Sequence, residues 1–153
     1  MTLPILSEAV GQSLRGPGTR AQRARAVAEA IQRVGRFEWV GIYDITPTEI
    51  AAIAWTGTEP PAFPTFPRTQ GLNGAAAASG ELVVANDVAC DPRYLTTFAR
   101  TGAEMIAPVR DQAGKVCGTL DIESSRVGAF GDAEQALARE AAELIRPLWQ
   151  CMA

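Results

Sequence analysis

Residues 115–123, with the sequence KVCGTLDIE, alternate between apolar or small side chains and polar ones. A period of two is typical of a β-strand, because successive side chains point to opposite faces of the sheet. One predicted face carries Val116, Gly118, Leu120 and Ile122, and the other carries Cys117, Thr119, Asp121 and Glu123. The segment therefore predicts a strand that packs on a core through one face and presents two carboxylates on the other.

A third carboxylate reaches the same face from the preceding strand. Residues 104–109 predict that strand, and Asp111–Gly114 predict the hairpin turn that follows it. Three acids on one face repel one another unless they are hydrated or neutralised. Glu104, Asp121 and Glu123 therefore form either a solvent-facing surface or an acidic floor that accepts a ligand's ammonium group. A metal is a third interpretation, but oxygen-only sites usually need more ligands, so we predict no metal and no cofactor.

Two aromatic residues share one face of an earlier predicted strand. Residues 37–43 and 49–55 are rich in aromatic and β-branched residues and predict a second hairpin. Trp39 and Tyr43 could wall a site for a cation or a thioether, although paired aromatic residues also serve simply as core. The prolines in residues 58–67 predict a stiff extended loop without regular structure, which is either a lid or a plain surface connection.

Helical periodicity marks both ends of the chain. Residues 4–14 and 21–34 predict helices, the second with Thr19 as N-cap and its end at Gly35. A last helix is predicted to begin at Asp132, with Gln135 three residues on, close to a capping box.

The middle of the chain predicts shorter elements. A tight turn over Gly71–Gly74 precedes a short helix over residues 75–79, and residues 81–84 predict a brief strand. Asp91 is placed to cap a helix that begins at Pro92. No repeat or linker interrupts the chain, so we expect one domain over residues 1–153: N-terminal helices in 1–35, sheet and pocket in 36–131, and a C-terminal helix in 132–150.

The composition excludes several functional classes. The chain of 153 residues has no histidine, which removes His-based acid–base catalysis, Ser-His-Asp triads and most catalytic zinc sites. A net charge of −3 without a long basic run argues against a nucleic-acid partner. Cys90, Cys117 and Cys151 are too widely spaced for a CxxC redox pair or a zinc knuckle.

The chain also lacks membrane signals. No apolar run reaches the roughly 18 residues that span a bilayer, and the N-terminus lacks the basic start of a signal peptide. We therefore expect no membrane partner and a cytoplasmic location.

Several of these motifs together resemble a GAF domain. The segments that resemble this family are residues 39–43 (WVGIY), 71–76 (GLNGAA), 84–88 (VANDV), the strand after Glu104, and 118–123 (GTLDIE). The most similar branch is the stand-alone free methionine-(R)-sulfoxide reductases. The resemblance implies the α/β (α+β) fold class, with a central antiparallel sheet, terminal helices on one face, and a ligand pocket enclosed by loops and short helices on the other.

The resemblance also implies roles for site residues. In those reductases the matching Trp, Tyr and acids hold the substrate's methyl-sulfoxide and amino ends. This chain keeps Trp39, Tyr43, Glu104 and Asp121, and has Glu123 in place of a more usual Asp. A homodimer through the terminal helices is a further family-level expectation.

The chain departs from the reductases at their three cysteines. The corresponding positions, counted without gaps, hold Phe63, Asn73 and Thr97. A phenyl ring, an amide and an alcohol cannot replace the thiolate that attacks a sulfoxide or the thiol that resolves the product. The family's mechanism is therefore absent, and Cys90 and Cys117 are the remaining candidate catalytic thiols.

Three functional hypotheses follow. The leading one is a module that binds a small, amino-acid-like ligand, with the three acids on the ammonium, Trp39 and Tyr43 at the side-chain end, and backbone N–H groups of the Asn73 turn on a carboxylate. The second is a reductase-like enzyme that uses Cys90 or Cys117. The third is a dimerisation or interaction module whose vestigial pocket is filled by Phe63 and Phe66.

Overall fold

The computed structural model describes residues 2–150, with four α-helices and six β-strands in that range. The helices are α1 (Thr2–Leu14), α2 (Arg20–Gly35), α3 (Gly71–Ser79) and α4 (Asp132–Leu144). The strands are β1 (Trp39–Ile45), β2 (Glu49–Trp55), β3 (Thr65–Pro67), β4 (Val83–Ala85), β5 (Ala103–Arg110) and β6 (Val116–Ser124). Short 3₁₀ helices cover Val88–Cys90 and Arg146–Trp149.

All six strands form one antiparallel sheet with the order β3-β2-β1-β6-β5-β4. The central strands β1 and β6 pair from Trp39 opposite Glu123 to Asp44 opposite Gly118. This register puts the aromatic residues of β1 and the acids of β6 on the same face. The predicted fold class, a mixed α+β fold around an antiparallel sheet, is confirmed.

The main core lies between the sheet and the terminal helices. Val40, Leu120 and Ile122 are fully buried there against α1, α2 and α4. Two smaller clusters occupy the opposite face, one around Leu72 of α3 and one around Trp39 and Tyr43. The alternation along β1 and β6 thus separates a structural face from a face that carries polar groups.

The terminal helices begin and end close to the predicted residues. Thr19 caps α2 as expected, in a reciprocal capping box with Gln22, and the helix ends at Gly35 as predicted, with Arg36 as the left-handed residue after it. Gly35 is the last residue of α2, and only glycine fits there because a Cβ would collide with the Phe37 ring. The N-cap of α4 is Gly131, one residue earlier than predicted, and its N–H donates to the Glu134 carboxylate at 2.9 Å.

Three segments around the site depart from the prediction. The proline-rich segment contains the short strand β3, which pairs with β2 at the sheet edge, where proline is tolerated. Helix α3 begins at Gly71, which has a φ of 73°. Asn73 therefore lies in the first turn of the helix rather than in a separate turn before it. The helix predicted from Pro92 does not form: the Asp91 side chain accepts the N–H of Arg93 as an N-cap would, but only a turn follows.

Within residues 2–150, no helix is long and apolar enough to cross a membrane.

Candidate functional site

Three carboxylate side chains meet on the face of the sheet that is opposite the terminal helices. In the β5–β6 pairing Glu104 lies opposite Glu123, and Ile106 lies opposite Asp121. The three acids are 2%, 0% and 2% exposed for Glu104, Asp121 and Glu123, and one oxygen of each lies within 4.8 Å of the others. A solvent-facing acidic surface is therefore wrong for these residues, and the acids form a buried cluster.

Burial dominates the electrostatics of this acidic cluster. Loss of hydration raises the pKa of Glu104 and of Asp121 well above the usual range, and the charges of the neighbouring acids raise both further. The pKa of Glu123 is also raised, mainly by burial. The close approach of Glu104 and Glu123 raises the pKa of Glu104 and lowers that of Glu123, as expected when two carboxyls share one proton. The cluster therefore favours partial protonation or a bound cation.

Hydroxyl groups from the loop before β5 contact two of the acids. Thr101 Oγ1 donates to Glu123 Oε1 at 2.9 Å, and Thr97 Oγ1 lies 3.5 Å from Glu104 Oε2. Sequence analysis did not predict Thr101, because no pattern distinguishes it before the loop's path is known. Within residues 2–150, Asp121 Oδ1 and Glu123 Oε2 are buried and accept no hydrogen bond. These two oxygens are free to accept donors from a ligand.

Asn73 links helix α3 to the cluster. Its side chain is 5% exposed, its Nδ2 donates to Asp121 Oδ2 at 3.1 Å, and its Oδ1 accepts from Thr119 Oγ1 at 2.6 Å. The hydrogen bond from Asn73 lowers the pKa of Asp121 and so partly offsets the effect of burial. Asn73 was predicted as a site residue because its backbone N–H would contact a ligand, whereas the structure brings its side chain to the acids.

The two predicted aromatic residues lie next to the cluster on β1. Trp39 is 6% exposed and stacks edge-on with Phe98 at 5.3 Å between ring centroids, and Tyr43 meets Phe66 edge-on at 6.1 Å. Gly41 lies between them and opposite Asp121, and a Cβ at Gly41 would collide with both rings. The indole Nε1 of Trp39 is buried without a partner in residues 2–150.

Burial and the charge of Asp121 raise the pKa of the Tyr43 hydroxyl well above its usual value. Tyr43 is therefore neutral beside the acids at neutral pH, and its hydroxyl adds no negative charge to the site.

The cavity beside the acids is nearly closed. It measures about 10 Å³, close to the minimum for one water, and Tyr43, Asn73, Thr97 and Glu104 are among the residues that line it. Phe63 and Phe66, which the third hypothesis places in the pocket, both line the cavity; Phe63 is 47% exposed and Phe66 is buried.

Two loops cover this cavity. The N–H of Ala62 in the proline-rich loop donates to the carbonyl of Thr97 in the loop before β5 at 3.2 Å. At the outer edge of the same two loops, Arg100 pairs with Glu59 at 3.2 Å across an exposed contact. A larger groove of about 590 Å³ runs between Arg68 and Arg93, but none of the three acids lines it.

Neither described thiol contacts the acidic cluster. Cys117 was predicted to face the pocket, but the register of β5 and β6 shifts between Val109 and Arg110, and Cys117 packs against the core on the helix side. Burial raises its pKa to about 11. Cys90 is exposed and donates to Asp87 Oδ2 at 3.3 Å, a bond that raises its pKa. Cys151 lies outside the described residues.

The cluster supplies fewer oxygens than a calcium site needs. Three carboxylates converge among residues 2–150, and three of their six oxygens already accept hydrogen bonds from Asn73, Thr97 and Thr101, whereas calcium takes about six to eight oxygen ligands. An organic cation, which brings its own hydrogen-bond donors, matches the two unpartnered oxygens better.

Comparison with known proteins identifies the family. Protein ZMO0507 of Zymomonas mobilis subsp. mobilis is 28% identical over 96 residues, which span 63% of this chain and only 58% of that protein. The type II free methionine-R-sulfoxide reductase from Thermoplasma acidophilum is 28% identical with a TM-score of 0.75, over 85% of this chain and 94% of that one. A putative GAF sensor protein from Burkholderia vietnamiensis, 20% identical, shares the fold with a TM-score of 0.82 over 95% of this chain and 91% of its own. Residues 19–146 match the family model of the GAF domain, and the chain belongs to the GAF domain family.

Proposed function

We propose that this protein binds a small molecule that carries a protonated amine, and that it acts as a binding or sensing module rather than as a reductase. The observation that carries the proposal is the buried cluster of Glu104, Asp121 and Glu123. Within residues 2–150, no arginine or lysine forms an ion pair with any of the three. A ligand ammonium would supply the missing positive charge and its N–H donors.

The neighbouring residues support an amino-acid-like ligand. Trp39 and Tyr43 offer ring surfaces next to the acids, which suit an apolar or thioether side chain. The unpartnered indole N–H of Trp39 suits an acceptor on the same ligand. The buried acids, the two ring surfaces and the indole N–H therefore fit a molecule with one ammonium end and one weakly polar end.

Ligand entry requires the covering loops to part. A cavity of about 10 Å³ cannot hold an amino acid, so the closed arrangement is the unliganded one in this proposal. The loops are joined by the hydrogen bond from Ala62 to Thr97 and by the exposed Arg100–Glu59 pair, whose contribution to stability is small. We therefore expect these contacts, rather than the sheet, to open when a ligand enters.

The reductase activity of the Thermoplasma protein belongs to that protein. Here, partial burial of Cys117 against the core and the hydrogen bond of Cys90 to Asp87 both disfavour the thiolate that such chemistry needs. The enzyme hypothesis therefore has no support from the placement of the described thiols. Dimerisation through the terminal helices stays a prediction.

Binding of ligands that differ only in the presence of the amine tests the proposal. Thermal shift and calorimetry would compare methionine-(R)-sulfoxide and methionine with the 2-hydroxy acid of the same side chain. We expect the amines to bind, Asp121→Asn and Glu104→Gln to weaken binding at least tenfold, and the exposed control Glu81→Gln to leave it unchanged. Equal binding of amine and hydroxy acid would contradict the proposal, and silence across a full amino-acid panel would favour an interaction module.

The same protein tests the enzyme hypothesis. Incubation with methionine-(R)-sulfoxide and a thiol reductant should give no methionine above the background without protein. Turnover that disappears in Cys90→Ser or Cys117→Ser would overturn a purely binding role.

A further inference from the structure

The empty site presents an imbalance of charge. Glu104 from β5 and Asp121 and Glu123 from β6 are almost fully buried, with oxygens within 4.8 Å of one another. In sites of this kind, like-charged carboxylates cannot all ionise, because the repulsion is no longer screened by water. At neutral pH the empty cluster must therefore keep at least one proton unless a cation replaces it.

The groups that face the cluster do not supply that cation. From β1 the titratable neighbour is Tyr43, and from the loop before β5 it is Tyr94, whose pKa burial and the nearby acids raise. Helix α3 contributes the neutral Asn73 and has no ionisable side chain. Arg100, on the same loop as Tyr94, pairs with Glu59 and lies over the Phe98 ring instead, and no arginine or lysine in residues 2–150 affects the pKa of the three acids.

Hydrogen bonds to the acids support one charge but not three. Asn73 donates to Asp121, and Thr101 donates to Glu123. Thr97 is a weaker partner of Glu104, at 3.5 Å. Burial and two neighbouring acids raise the pKa of Glu104 well above its usual value, which makes Glu104 a favoured holder of a proton in the empty site.

We propose that the acidic cluster couples ligand binding to proton release: the empty site holds its carboxyls partly protonated, and the ligand's ammonium displaces about one proton when it binds. This inference rests on the proposed amine site and adds its regulation. As the pH rises, fewer protons compete with the ligand. Release of one proton makes the apparent affinity rise about tenfold per pH unit, up to the pH at which the empty cluster loses that proton. The module would thus report amine concentration and pH together.

Infrared spectroscopy of the empty protein tests the first half of the proposal. A carbonyl band from a protonated carboxyl is expected at about pH 7, where ordinary carboxylates are ionised. The band should weaken in Glu104→Gln and stay unchanged in the control Glu81→Gln. If the empty wild-type protein lacks the band at this pH, the inference is overturned whether or not any ligand binds.

Calorimetry tests the second half. Methionine-(R)-sulfoxide is titrated into the protein at one pH in two buffers that differ in ionisation enthalpy. The expected result is a binding enthalpy that differs between buffers by the amount for about one proton, and a difference that shrinks in Glu104→Gln. Equal enthalpies in both buffers would overturn proton release while leaving the amine site intact. Absence of any binding heat, with amines across the panel also silent, would overturn the proposed function and with it the coupling.

Discussion

Thr119 Oγ1 lies 2.6 Å from the side-chain oxygen of Asn73, and this contact fixes which way the amide of Asn73 faces. With Oδ1 turned to the hydroxyl, Nδ2 points to Asp121 and donates to it at 3.1 Å. The resemblance to the reductases places a thiol at position 73. Here the position instead carries a neutral donor that ties α3 to β6 and stabilises one acid.

Loss of the Asn73 amide should destabilise the protein and disturb the acids. In Asn73→Ala, the buried Thr119 hydroxyl loses its acceptor and Asp121 loses its donor, so we expect the free energy of unfolding to fall by about 1–3 kcal/mol. Urea denaturation measures the change, and Gln112→Ala on the exposed hairpin turn serves as the matched control.

A double-mutant cycle separates the bond from the general loss of volume. Thr119→Val removes the hydroxyl with little change in shape. If the Asn73–Thr119 contact orients the amide, the effects of Asn73→Ala and Thr119→Val on stability should not add. Additive effects would mean that the two side chains act independently, contrary to the geometry.

The acidic cluster should make the protein less stable as the pH rises. The pKa of Glu104 is raised in the folded state, so the folded protein binds more protons than the unfolded chain between the usual carboxyl range and that raised pKa. The stability is fully present below the ordinary pKa of a glutamic acid and is lost as the pH rises through the raised one. We expect Glu104→Gln to raise the free energy of unfolding at about pH 8 by roughly 1–3 kcal/mol, because the amide donates to a neighbouring carboxylate as a protonated acid does.

Denaturation at a series of pH values checks this sign. The wild type should lose stability from about pH 5 upward, the Glu104→Gln variant should lose less, and Glu81→Gln should follow the wild type. A Glu104→Gln variant that is less stable than the wild type at high pH would show that Glu104 is ionised and needed as a charge in the empty protein.

Sequence patterns predicted the elements that depend on one strong local signal. The alternation in residues 116–123 predicted β6, and Thr19 predicted the start of α2. The turn over Asp111–Gly114 predicted the connection between β5 and β6. The convergence of the three acids also followed, because a hairpin puts residues of matching parity on one face. Their burial did not follow, since it depends on the loops and on α3, which cover this face from distant parts of the chain.

The errors lie where two local signals compete. Residues Gly71–Gly74 have the composition of a turn, yet α3 begins at Gly71, where φ is 73°. Asn73 reaches the acids from the first turn of that helix. Pro92 after Asp91 resembles a helix start, but the Asp91 carboxylate is engaged by Arg93 at 2.7 Å and the chain stays irregular. The irregularity at Arg110 breaks the alternation of β6 at its start, a shift that no periodic pattern records.

The two described thiols should differ in reactivity. Cys90 is exposed but its pKa is raised by the hydrogen bond to Asp87, while burial raises the pKa of Cys117 to about 11. In a Cys151→Ser background, we expect iodoacetamide to modify Cys90 slowly and Cys117 only on unfolding. Asp87→Asn should speed modification of Cys90 severalfold near neutral pH, because it removes the neighbouring charge. Mass spectrometry of labelled peptides measures both rates.

The outcome also bears on the enzyme hypothesis. Fast native modification of Cys117 would mean that the strand carrying it opens readily and exposes the thiol. An unchanged rate at Cys90 in Asp87→Asn would show that Asp87 does not control this thiol. The exposed Asp132→Asn variant, remote in sequence from Cys90, is the control for a general change in charge.

A charged network fixes the C-terminal segment to the sheet. Arg20 of α2 donates twice to Asp44 of β1 at 2.8 Å and once to the carbonyl of Leu148 at 2.7 Å. Trp149 Nε1 donates to the same carboxylate at 2.7 Å, and the Arg20 guanidinium lies 5.3 Å from the Trp149 ring centroid. Partial burial raises the pKa of Asp44, but the bonds from Arg20 and Trp149 outweigh it and leave the pKa below its usual value.

Removal of Asp44 should therefore loosen the end of the chain. We expect Asp44→Ala to lower the free energy of unfolding by roughly 1–2 kcal/mol, a range that allows for the partial exposure of the pair. Since the folded-state pKa of Asp44 is lowered, its contribution is present above the ordinary carboxyl pKa and is lost as the pH falls through the lowered value. The Arg25–Glu29 pair on α2, which is similarly exposed but makes a single hydrogen bond, provides the contrast, because Glu29→Ala should cost less than about 0.5 kcal/mol. Equal effects of Asp44→Ala and Glu29→Ala in urea denaturation near neutral pH would mean that the bidentate geometry and the Trp149 bond add nothing beyond an ordinary surface ion pair.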